Sequence, residues 1–234
     1  MKPTILLDLD GTLLDSAPDI TLALNKSLIK NKLKPVDESI VRNLIGNGSA
    51  RLISDILNKK RQKDDHNLRG QIHKDFLKAY KNMSYFFSKL YPDVRKTLTR
   101  LYRSYFLVCL TNKPTEITRL VLTFTGIGSF FKLVVSGDTL SEMKPSPAGV
   151  KFCMENLKCR KENMIIVGDS LVDLKTAAAA DIKAIAVTYG YNQDVNLEAE
   201  GASATAKSFK ELPLLIKTLI GEQKNTLKNN EKCY

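Results

Sequence analysis

The stretch that decides the fold is TILLDLDGTLLDS at residues 4–16, where a short apolar run ends in two carboxylates. Residues 4–9 are predicted to form a strand buried on both faces, because such strands consist of continuous apolar residues. Asp8 and Asp10 lie two residues apart where the chain leaves the sheet, so their side chains point the same way. Two acids at the end of a buried strand are a poor choice for a plain surface turn, and they favour a chemical role.

Similar apolar runs recur along the chain. Four of them have the length expected of buried strands, namely residues 105–110, 132–135, 164–167 and 184–187. Stretches with helical spacing lie between them, such as the one that carries Val94, Leu98 and Leu101. Strands that alternate with helices predict an α/β, Rossmann-like fold, in which a parallel sheet carries helices on both faces. Ligands of such sheets bind beyond the carboxyl ends of the strands, at the point where the strand order reverses.

Residues 16–90 break this alternation, because they carry helical patterning and no convincing strand. The sequence SAP at residues 16–18 is a typical helix start. Further on, two amphipathic stretches flank a short turn, which predicts a helical hairpin. The residues of this turn are Gly46, Asn47 and Gly48.

These patterns predict three parts. We expect a discontinuous core domain at residues 1–15 and 91–221, and an all-helical cap domain at residues 16–90, inserted after the first strand. The polar residues 222–234 are expected to form a flexible tail. Within the cap, Asp37 is a candidate N-cap for a helix whose inner face carries Ile40, Val41, Leu44 and Ile45, and Ser49 is a candidate N-cap for the next helix.

Composition excludes several classes of protein. The chain has 234 residues, of which 43% are hydrophobic, and no stretch approaches the roughly 20 apolar residues of a membrane span. Asp8 and Asp10 interrupt the N-terminal apolar run, so a secretory signal is not expected. The four cysteines form no CxxC pair and only two histidines are present, which disfavours a zinc site and a disulfide framework. A reducing cytoplasm fits this pattern.

The net charge of +11 allows two interpretations. A positive field steers anionic substrates toward a protein. A lysine-rich surface that serves solubility is the simpler interpretation, because the basic residues are spread along the whole chain instead of being gathered into a stripe with aromatic residues. We therefore expect neither nucleic acid nor a membrane as partner.

The motif Asp8-Leu9-Asp10-Gly11-Thr12 has the composition of a phosphoryl-transfer site. A carboxylate is a competent nucleophile toward phosphorus when a metal ion offsets its repulsion with phosphate. A second carboxyl nearby has its pKa raised by the first, so it can carry a proton to the leaving oxygen and later accept one from water. Gly11 allows a turn, Thr12 is available to orient it, and both residues are candidates for binding substrate.

Three further clusters follow predicted strands. Thr111 and Asn112 offer a hydroxyl and backbone N–H groups for phosphoryl oxygens, although Thr-Asn is also ordinary turn chemistry. Lys144 offers a fixed ammonium that would neutralise charge on Asp8, although a lone lysine is usually solvated.

The last cluster is Gly168-Asp169-Ser170, with Asp173 three residues on. Acids at the end of a strand, beside a glycine that permits close approach, suit hard oxygen ligation of Mg²⁺. The alternative is that Asp169 caps a helix and Asp173 lies on its first turn, which explains one acid better than two.

These four clusters, in this order, resemble the haloacid dehalogenase superfamily of phosphatases over the chain as far as about residue 219. The resemblance implies that Asp8 is the nucleophile, that Asp10 is the general acid and base, and that Thr111 and Lys144 contact the phosphoryl group. It also implies Mg²⁺ held by Asp8, the backbone carbonyl of Asp10 and Asp169, with Asp173 close behind.

Within that superfamily the chain is most similar to the phosphoglycolate phosphatases. The similar segments are residues 8–20, the turn at 46–48, TNKP at 111–114 and TYGYN at 188–192. The chain departs from their usual pattern at Asp93, at Asp181, and at residues 193–194. The first two positions usually carry glycine in these enzymes.

The function expected from this resemblance is Mg²⁺-dependent hydrolysis of a small phosphomonoester, with 2-phosphoglycolate as the leading substrate. The turn of Gly46, Asn47 and Gly48 is then a candidate for contacting the organic part of the substrate, or else a plain connection between helices. Other phosphoesters, nucleotides and pyrophosphate remain alternatives, as does a phosphomutase of the β-phosphoglucomutase type. A dehalogenase would leave Asp10 without a task, and a binding domain without turnover would not need the complete set of acids and lysine.

Overall fold

The computed structural model describes residues 2–60, 66–83, 87–191 and 195–230, with side chains as far as Gly221. The described strands are β1 (Thr4–Leu7), β2 (Leu14–Asp15), β3 (Lys89–Leu90), β4 (Phe106–Leu110), β5 (Leu133–Val135), β6 (Met164–Gly168), β7 (Lys183–Val187) and β8 (Ala204–Ala206). The described α-helices are α1 (Ala17–Lys30), α2 (Glu38–Arg42), α3 (Ser49–Lys59), α4 (His66–Lys81), α5 (Val94–Tyr102), α6 (Thr115–Phe124), α7 (Ala148–Leu157), α8 (Leu171–Ala180) and α9 (Leu212–Asn230).

Six strands form one parallel sheet in the order β5-β4-β1-β6-β7-β8. This confirms the expected α/β, Rossmann-like fold, and all five strands predicted from apolar runs lie in the sheet. β1 is central and fully buried. Ile5 packs into the apolar core on one face of the sheet and Leu6 into the core on the other, because successive strand residues point to opposite faces.

The strand order reverses at β1. The chain builds outward from β1 through β4 to β5, and then returns to the other side of β1 to form β6. The carboxyl ends of β1, β4 and β6 therefore meet at the switch point, which is where ligands of open α/β sheets bind.

Helices α1 to α4 are called here the helical block. The chain enters this block after β2 and returns from it at β3, and these two short strands pair in antiparallel orientation. In this pair Leu14 of β2 lies opposite Leu90 of β3. The buried carboxylate of Asp19 in α1 reinforces the joint, because it accepts hydrogen bonds from the backbone N–H groups of Phe87 (2.8 Å) and Ser88 (2.9 Å). Entry and exit of the helical block are thus held side by side.

Packing inside the helical block follows the predicted helical faces for the most part. The residues of α1, α3 and α4 with apolar spacing are buried: Ile20, Leu24, Leu28, Leu52, Ile53, Ile56, Leu57, Ile72, Phe76 and Tyr80. The prediction was wrong for the helix after Asp37. α2 ends at Arg42, and while Val41 is buried, Ile40 is 36% exposed.

Of the two predicted N-caps, the position of Asp37 is confirmed and that of Ser49 is wrong. Asp37 occupies the N-cap position of α2, but its side chain makes no capping hydrogen bond. Ser49 is the first residue of α3, and its N-cap is Gly48, whose φ of +82° only glycine adopts readily. The tight turn before α3 therefore decides where the helix begins.

The departures at Asp93 and Asp181 have a backbone explanation. Their φ angles are +63° and +53°, in the left-handed region that favours glycine and tolerates Asp. The third departure, at residues 193–194, and Asn192 before it lie outside the described residues. In the expected tail, α9 continues to Asn230, and residues 231–234 lie outside the described part of the chain.

Candidate active site

The side chains singled out in the sequence converge at the carboxyl ends of three neighbouring strands. Asp8 follows β1, Thr111 follows β4 and Asp169 follows β6, and each is at most 6% exposed. The buried ammonium of Lys144 reaches them from the loop before α7, with its Nζ 2.8 Å from Oδ1 of Asp8. Its second partner is Oδ1 of Asp173, at 2.6 Å.

Three buried acids, Asp8, Asp169 and Asp173, each offer a carboxylate oxygen, and these oxygens lie within 4.8 Å of one another. Burial raises the pKa of Asp8 to about 7. The ammonium of Lys144 opposes this shift, and the carboxylate of Asp173 adds to it. Burial and the neighbouring carboxylates of Asp8 and Asp173 hold the pKa of Asp169 well above its usual value. A divalent cation with hard oxygen ligands would relieve this repulsion, so the donor set fits Mg²⁺.

Asp169 and Asp173 are positioned in different ways. Asp169 accepts hydrogen bonds from Oγ1 of Thr12 (3.1 Å) and from the backbone N–H of Tyr191 (2.6 Å). The N-cap of α8 is Ser170, which forms a capping box with Asp173, its Oγ donating to Oδ2 of Asp173 at 2.8 Å. The alternative in which Asp169 caps the helix is therefore wrong, and Asp173 serves both the cap and Lys144.

Two glycines let these acids approach the backbone. A Cβ on Gly11, whose φ is +86°, would lie 2.2 Å from Oδ2 of Asp169. A Cβ on Gly168 would lie 2.1 Å from Cγ of Asp173. Gly11 and Gly168 thus create the space in which the carboxylates gather.

Asp10 lies apart from the acid cluster. Its carboxylate is bound by Nζ of Lys113, at 2.9 and 3.1 Å, and accepts a hydrogen bond from Oγ of Ser16 at 2.5 Å. Burial lowers the pKa of the Lys113 ammonium, but the Asp10 carboxylate more than offsets this and the pKa lies above its usual range. Lys113 directly follows Thr111 and Asn112, and no role was predicted for it.

Asn112 connects the two halves of the site. Its Nδ2 donates to the carbonyl oxygen of Gly46 in the helical block at 3.0 Å and to that of Lys144 at 2.8 Å. The hydroxyl of Thr111 accepts a hydrogen bond from the backbone N–H of Lys113 at 3.2 Å. Asn112, a residue predicted to bind substrate, therefore holds the turn at residues 46–48 over the strand ends through its side-chain amide.

A cavity of about 40 Å³ lies between the strand ends and the helical block. The strand side contributes Asp8, Asp10 and Lys113, and the helical block contributes mainly apolar residues. Of the residues predicted to bind substrate, Gly46, Gly48 and Asn112 line the cavity, whereas Asn47, Gly11 and Thr12 do not. Thr12 and Gly11 instead contact Asp169.

Tyr191 joins the acid cluster to the start of the helical block. While its backbone N–H binds Asp169, its hydroxyl oxygen accepts hydrogen bonds from the backbone N–H groups of Ser16 (2.7 Å) and Ala17 (3.0 Å). The same hydroxyl donates to Oδ1 of Asp15 at 2.8 Å. The guanidinium of Arg42 pairs with Asp15 and lies 5.5 Å from the centre of the Tyr191 ring. Tyr191 lies in the segment TYGYN, which resembles the phosphoglycolate phosphatases, and no role was predicted for it.

Comparison with known proteins agrees with this geometry. The family model for haloacid dehalogenase-like hydrolase matches residues 5–187. A phosphoglycolate phosphatase of Colwellia psychrerythraea is 36% identical over 220 residues, which cover 92% of this chain and 97% of that protein. A phosphoglycolate phosphatase of Nitrosococcus oceani is 34% identical, covering 91% of this chain and 95% of its own.

Solved structures share the fold. The crystal structure described as a predicted phosphoglycolate phosphatase from Haemophilus somnus 129PT matches with a TM-score of 0.83 and 29% identity, covering 92% of this chain and 97% of that one. None of the described helices of the present chain combines the length and the apolar character needed to cross a membrane.

Proposed function

This chain belongs to the haloacid dehalogenase-like hydrolase family, and from that membership we propose that it is a Mg²⁺-dependent phosphatase of small phosphomonoesters, with 2-phosphoglycolate as its leading substrate. The observation that carries the proposal is the meeting of the Asp8, Asp169 and Asp173 carboxylates with the Lys144 ammonium at the switch point of the sheet. Such a site supplies a nucleophile for a phosphoryl group, and Lys144 together with a divalent cation would supply the positive charge that holds it.

The acid cluster fits a magnesium ion. We propose Asp8, Asp169 and the backbone carbonyl of Asp10 as its protein ligands, with Asp173 behind them. When bound, the ion would neutralise negative charge on the nucleophile and on the phosphoryl oxygens. Three buried acids beside one lysine are otherwise an unfavourable arrangement, as the raised pKa values of Asp8 and Asp169 indicate.

The residues of the chain divide the reaction between them. A carboxylate oxygen of Asp8 attacks phosphorus in line, and the bond from phosphorus to the leaving oxygen breaks while Asp10 donates its proton to that oxygen. Water then attacks the phosphorus of the aspartyl-phosphate, Asp10 takes up the proton, and inorganic phosphate and Asp8 are released. Lys144 and Thr111 would hold the phosphoryl oxygens throughout.

The dimensions of the cavity support a small substrate. The cavity has a volume of only about 40 Å³. The helical block covers it, and we propose that this block, residues 16–90, acts as a cap domain that excludes bulk water and opens to admit substrate. A nucleotide would require much wider opening than a two-carbon phosphoester.

The test is phosphate release by the purified full-length chain, with Mg²⁺ or with EDTA. The panel contains 2-phosphoglycolate, 3-phosphoglycerate, AMP, pyrophosphate and β-glucose 1-phosphate. We expect a Mg²⁺-dependent rate at least about tenfold higher on 2-phosphoglycolate than on the others. Similar rates across the panel would support phosphatase activity and contradict 2-phosphoglycolate as the specific substrate. No release from any compound would overturn the proposal, and conversion of β-glucose 1-phosphate to its isomer would replace it with a mutase.

A further inference from the structure

Lys113 is the one cationic side chain among the described residues that line the cavity, and the mechanism above gives it no task. It is only 6% exposed. Its Nζ lies within 3.1 Å of both carboxylate oxygens of Asp10 and 4.8 Å from the centre of the Tyr80 ring in α4. A buried ammonium at the boundary between strand ends and helical block is costly unless anions contact it.

The surroundings of Lys113 suit a second anion. Apolar side chains form much of the wall on the side of the helical block, among them Ile45, Leu52 and Phe76. The N-terminus of α3 also borders the cavity, through Gly48 and Ser49. Its first turn contains no acidic residue and its N-cap makes no side-chain hydrogen bond, so its partial positive charge is not compensated by such groups.

The hydroxyl of Ser49 has a fixed partner at this helix end. Its Oγ lies 2.8 Å from Nε2 of His73 in α4. Burial lowers the pKa of His73, which keeps the imidazole neutral near pH 7. The positive charge in this part of the cavity therefore comes from Lys113 and from the helix end.

The two lysines of the site contact two different carboxylates. Lys144 contacts Asp8, which is the proposed phosphoryl acceptor, and Lys113 contacts Asp10. Asp8, Asp10 and Lys113 line the same small cavity. A compact substrate with a phosphate at one end and a second anion one or two atoms away suits this arrangement.

We propose that Lys113 is a specificity-determining residue that binds a carboxylate of the substrate. In this proposal, which rests on the proposed function, the substrate carboxylate replaces Asp10 as the partner of the Lys113 ammonium. The Asp10 side chain is then released from Lys113 at the moment when the leaving oxygen needs it. A phosphomonoester without the carboxylate leaves the pair of Lys113 and Asp10 intact and reacts slowly.

The test compares 2-phosphoglycolate with 2-hydroxyethyl phosphate, which has a hydroxymethyl group in place of the carboxylate. We expect the wild-type protein to favour 2-phosphoglycolate in kcat/KM by at least about 100-fold, because a desolvated charge pair is at stake. Lys113→Met is expected to reduce this ratio to within about threefold of one, mainly through loss of activity on 2-phosphoglycolate. Lys113→Arg, which keeps the charge, is expected to retain most of the preference. Lys74→Met, on the exposed side of α4, is the matched control and should behave as wild type.

Two results would overturn the inference while leaving a phosphatase in place. One is a wild-type protein that hydrolyses both substrates equally well. The other is a Lys113→Met variant that loses activity on both substrates to the same extent. That result would show that Lys113 positions Asp10 and does not recognise the substrate carboxylate.

A binding measurement separates this inference from the proposed function. Calorimetric titration with glycolate reports on the carboxylate site without any hydrolysis. Binding by wild-type protein and by Lys74→Met, with loss in Lys113→Met, supports the site even if no phosphoester is turned over. Binding that is unchanged in Lys113→Met rules the site out even if the enzyme is a phosphatase.

Discussion

Asp8 occupies a cluster in which buried acids outnumber the base beside them. Lys144 neutralises one charge among Asp8, Asp169 and Asp173. Burial also lowers the pKa of the Lys144 ammonium, but contact with Asp173 and Asp8 raises it above its usual range, so this lysine stays charged. The free protein therefore stores unfavourable electrostatic energy at the point where a metal ion and a phosphate would bind.

Replacing Asp8 tests both its proposed role as nucleophile and the unfavourable electrostatic energy of the acid cluster. Asp8→Asn removes the attacking oxygen, and we expect turnover to fall at least about 1,000-fold. Because the pKa of Asp8 is raised from 3.8 to about 7 on folding, its contribution to stability is fully present below pH 3.8 and is lost progressively until the pH has risen through 7. In EDTA the variant should therefore come closest to wild type below pH 3.8, gain on it as the pH rises, and be clearly more stable near pH 8, by thermal melting. A wild-type protein that is the more stable of the two at pH 8 would contradict this account.

Asp169 provides the corresponding test of the metal site. Mg²⁺ should raise the melting temperature of the wild-type protein, because it binds the native state selectively. Asp169→Asn keeps an acceptor for Thr12 but loses a charge, so we expect the apparent affinity for Mg²⁺ to fall at least about tenfold. Asp181→Asn is the control, since Asp181 has a left-handed φ of +53° that Asn also tolerates. Equal Mg²⁺ responses in the two variants would exclude Asp169 as a ligand.

The meeting of Asp8 and Asp169 was predictable because parallel strands deliver their ends to one edge of a sheet, whereas the approach of Lys144 was expected only from the family resemblance. The importance of Lys113 was not predictable from local sequence. Its burial depends on Tyr80, which lies on another helix and is brought close only by the packing of the helical block. Local sequence likewise could not show that Ser170 is the N-cap of α8, while Asp169 accepts a hydrogen bond from the distant Tyr191 N–H.

At the scale of elements, the turn between α2 and α3 holds the helical block over the strand ends. Gly46 has a φ of +122°, and its carbonyl oxygen accepts a hydrogen bond from Asn112. Gly48 packs near Met143, whose Sδ would lie 3.2 Å from an added Cβ. The backbone conformation of this turn sets both the start of α3 and the roof of the cavity.

Gly46→Ala is therefore expected to disturb function and stability together. An alanine is strained at this φ, and the cost should be about 1–3 kcal/mol in the free energy of unfolding. The KM for the preferred phosphoester should also rise, since the turn borders the cavity. Urea unfolding and steady-state kinetics measure the two effects. Gly70→Ala in α4 is the matched control: an added Cβ there meets no atom within 4 Å, and it should stabilise the helix by up to about 1 kcal/mol. Identical behaviour of the two variants would contradict the role of the turn.

The strands of the sheet were predictable because their apolar runs are long enough to be distinctive. β8 was missed because its three residues, Ala-Thr-Ala, carry no such run, and it is placed only by pairing with β7. The early end of α2 and the start of α3 at Ser49 were missed for a related reason. Apolar spacing continues past Arg42 as far as Ile45, just before the predicted turn, and the φ of +82° that makes Gly48 the N-cap of α3 is visible only in the backbone.

At the scale of the whole molecule, the helical block and the sheet domain are joined at a few places distant in sequence. β2 pairs with β3, Asp19 binds the returning chain at Phe87 and Ser88, and Tyr191 binds the start of α1. The partners Ser16 and Tyr191 are 175 positions apart. Periodicity predicts that the helical block exists, but contacts of this range cannot be inferred from it.

Tyr191→Phe tests whether this joint couples the helical block to catalysis. The substitution removes the hydroxyl that serves Ser16, Ala17 and Asp15, and it leaves two buried backbone N–H groups without this acceptor. We expect a loss of about 1–3 kcal/mol in the free energy of unfolding and a lower kcat. The apparent Mg²⁺ affinity should change less than threefold, because the backbone N–H of residue 191 still binds Asp169.

The comparison with Asp169→Asn makes this prediction specific. If Tyr191 acts on the position of the helical block, its variant loses kcat while its Mg²⁺-induced shift in melting temperature stays close to that of wild type. If instead the hydroxyl network supports the acid cluster itself, the Mg²⁺ response should fall in parallel with kcat, as it does for a lost ligand. Unchanged kcat and stability would show that the hydrogen bonds of Ser16 and Ala17 to Tyr191 contribute nothing to how the two parts of the molecule work together.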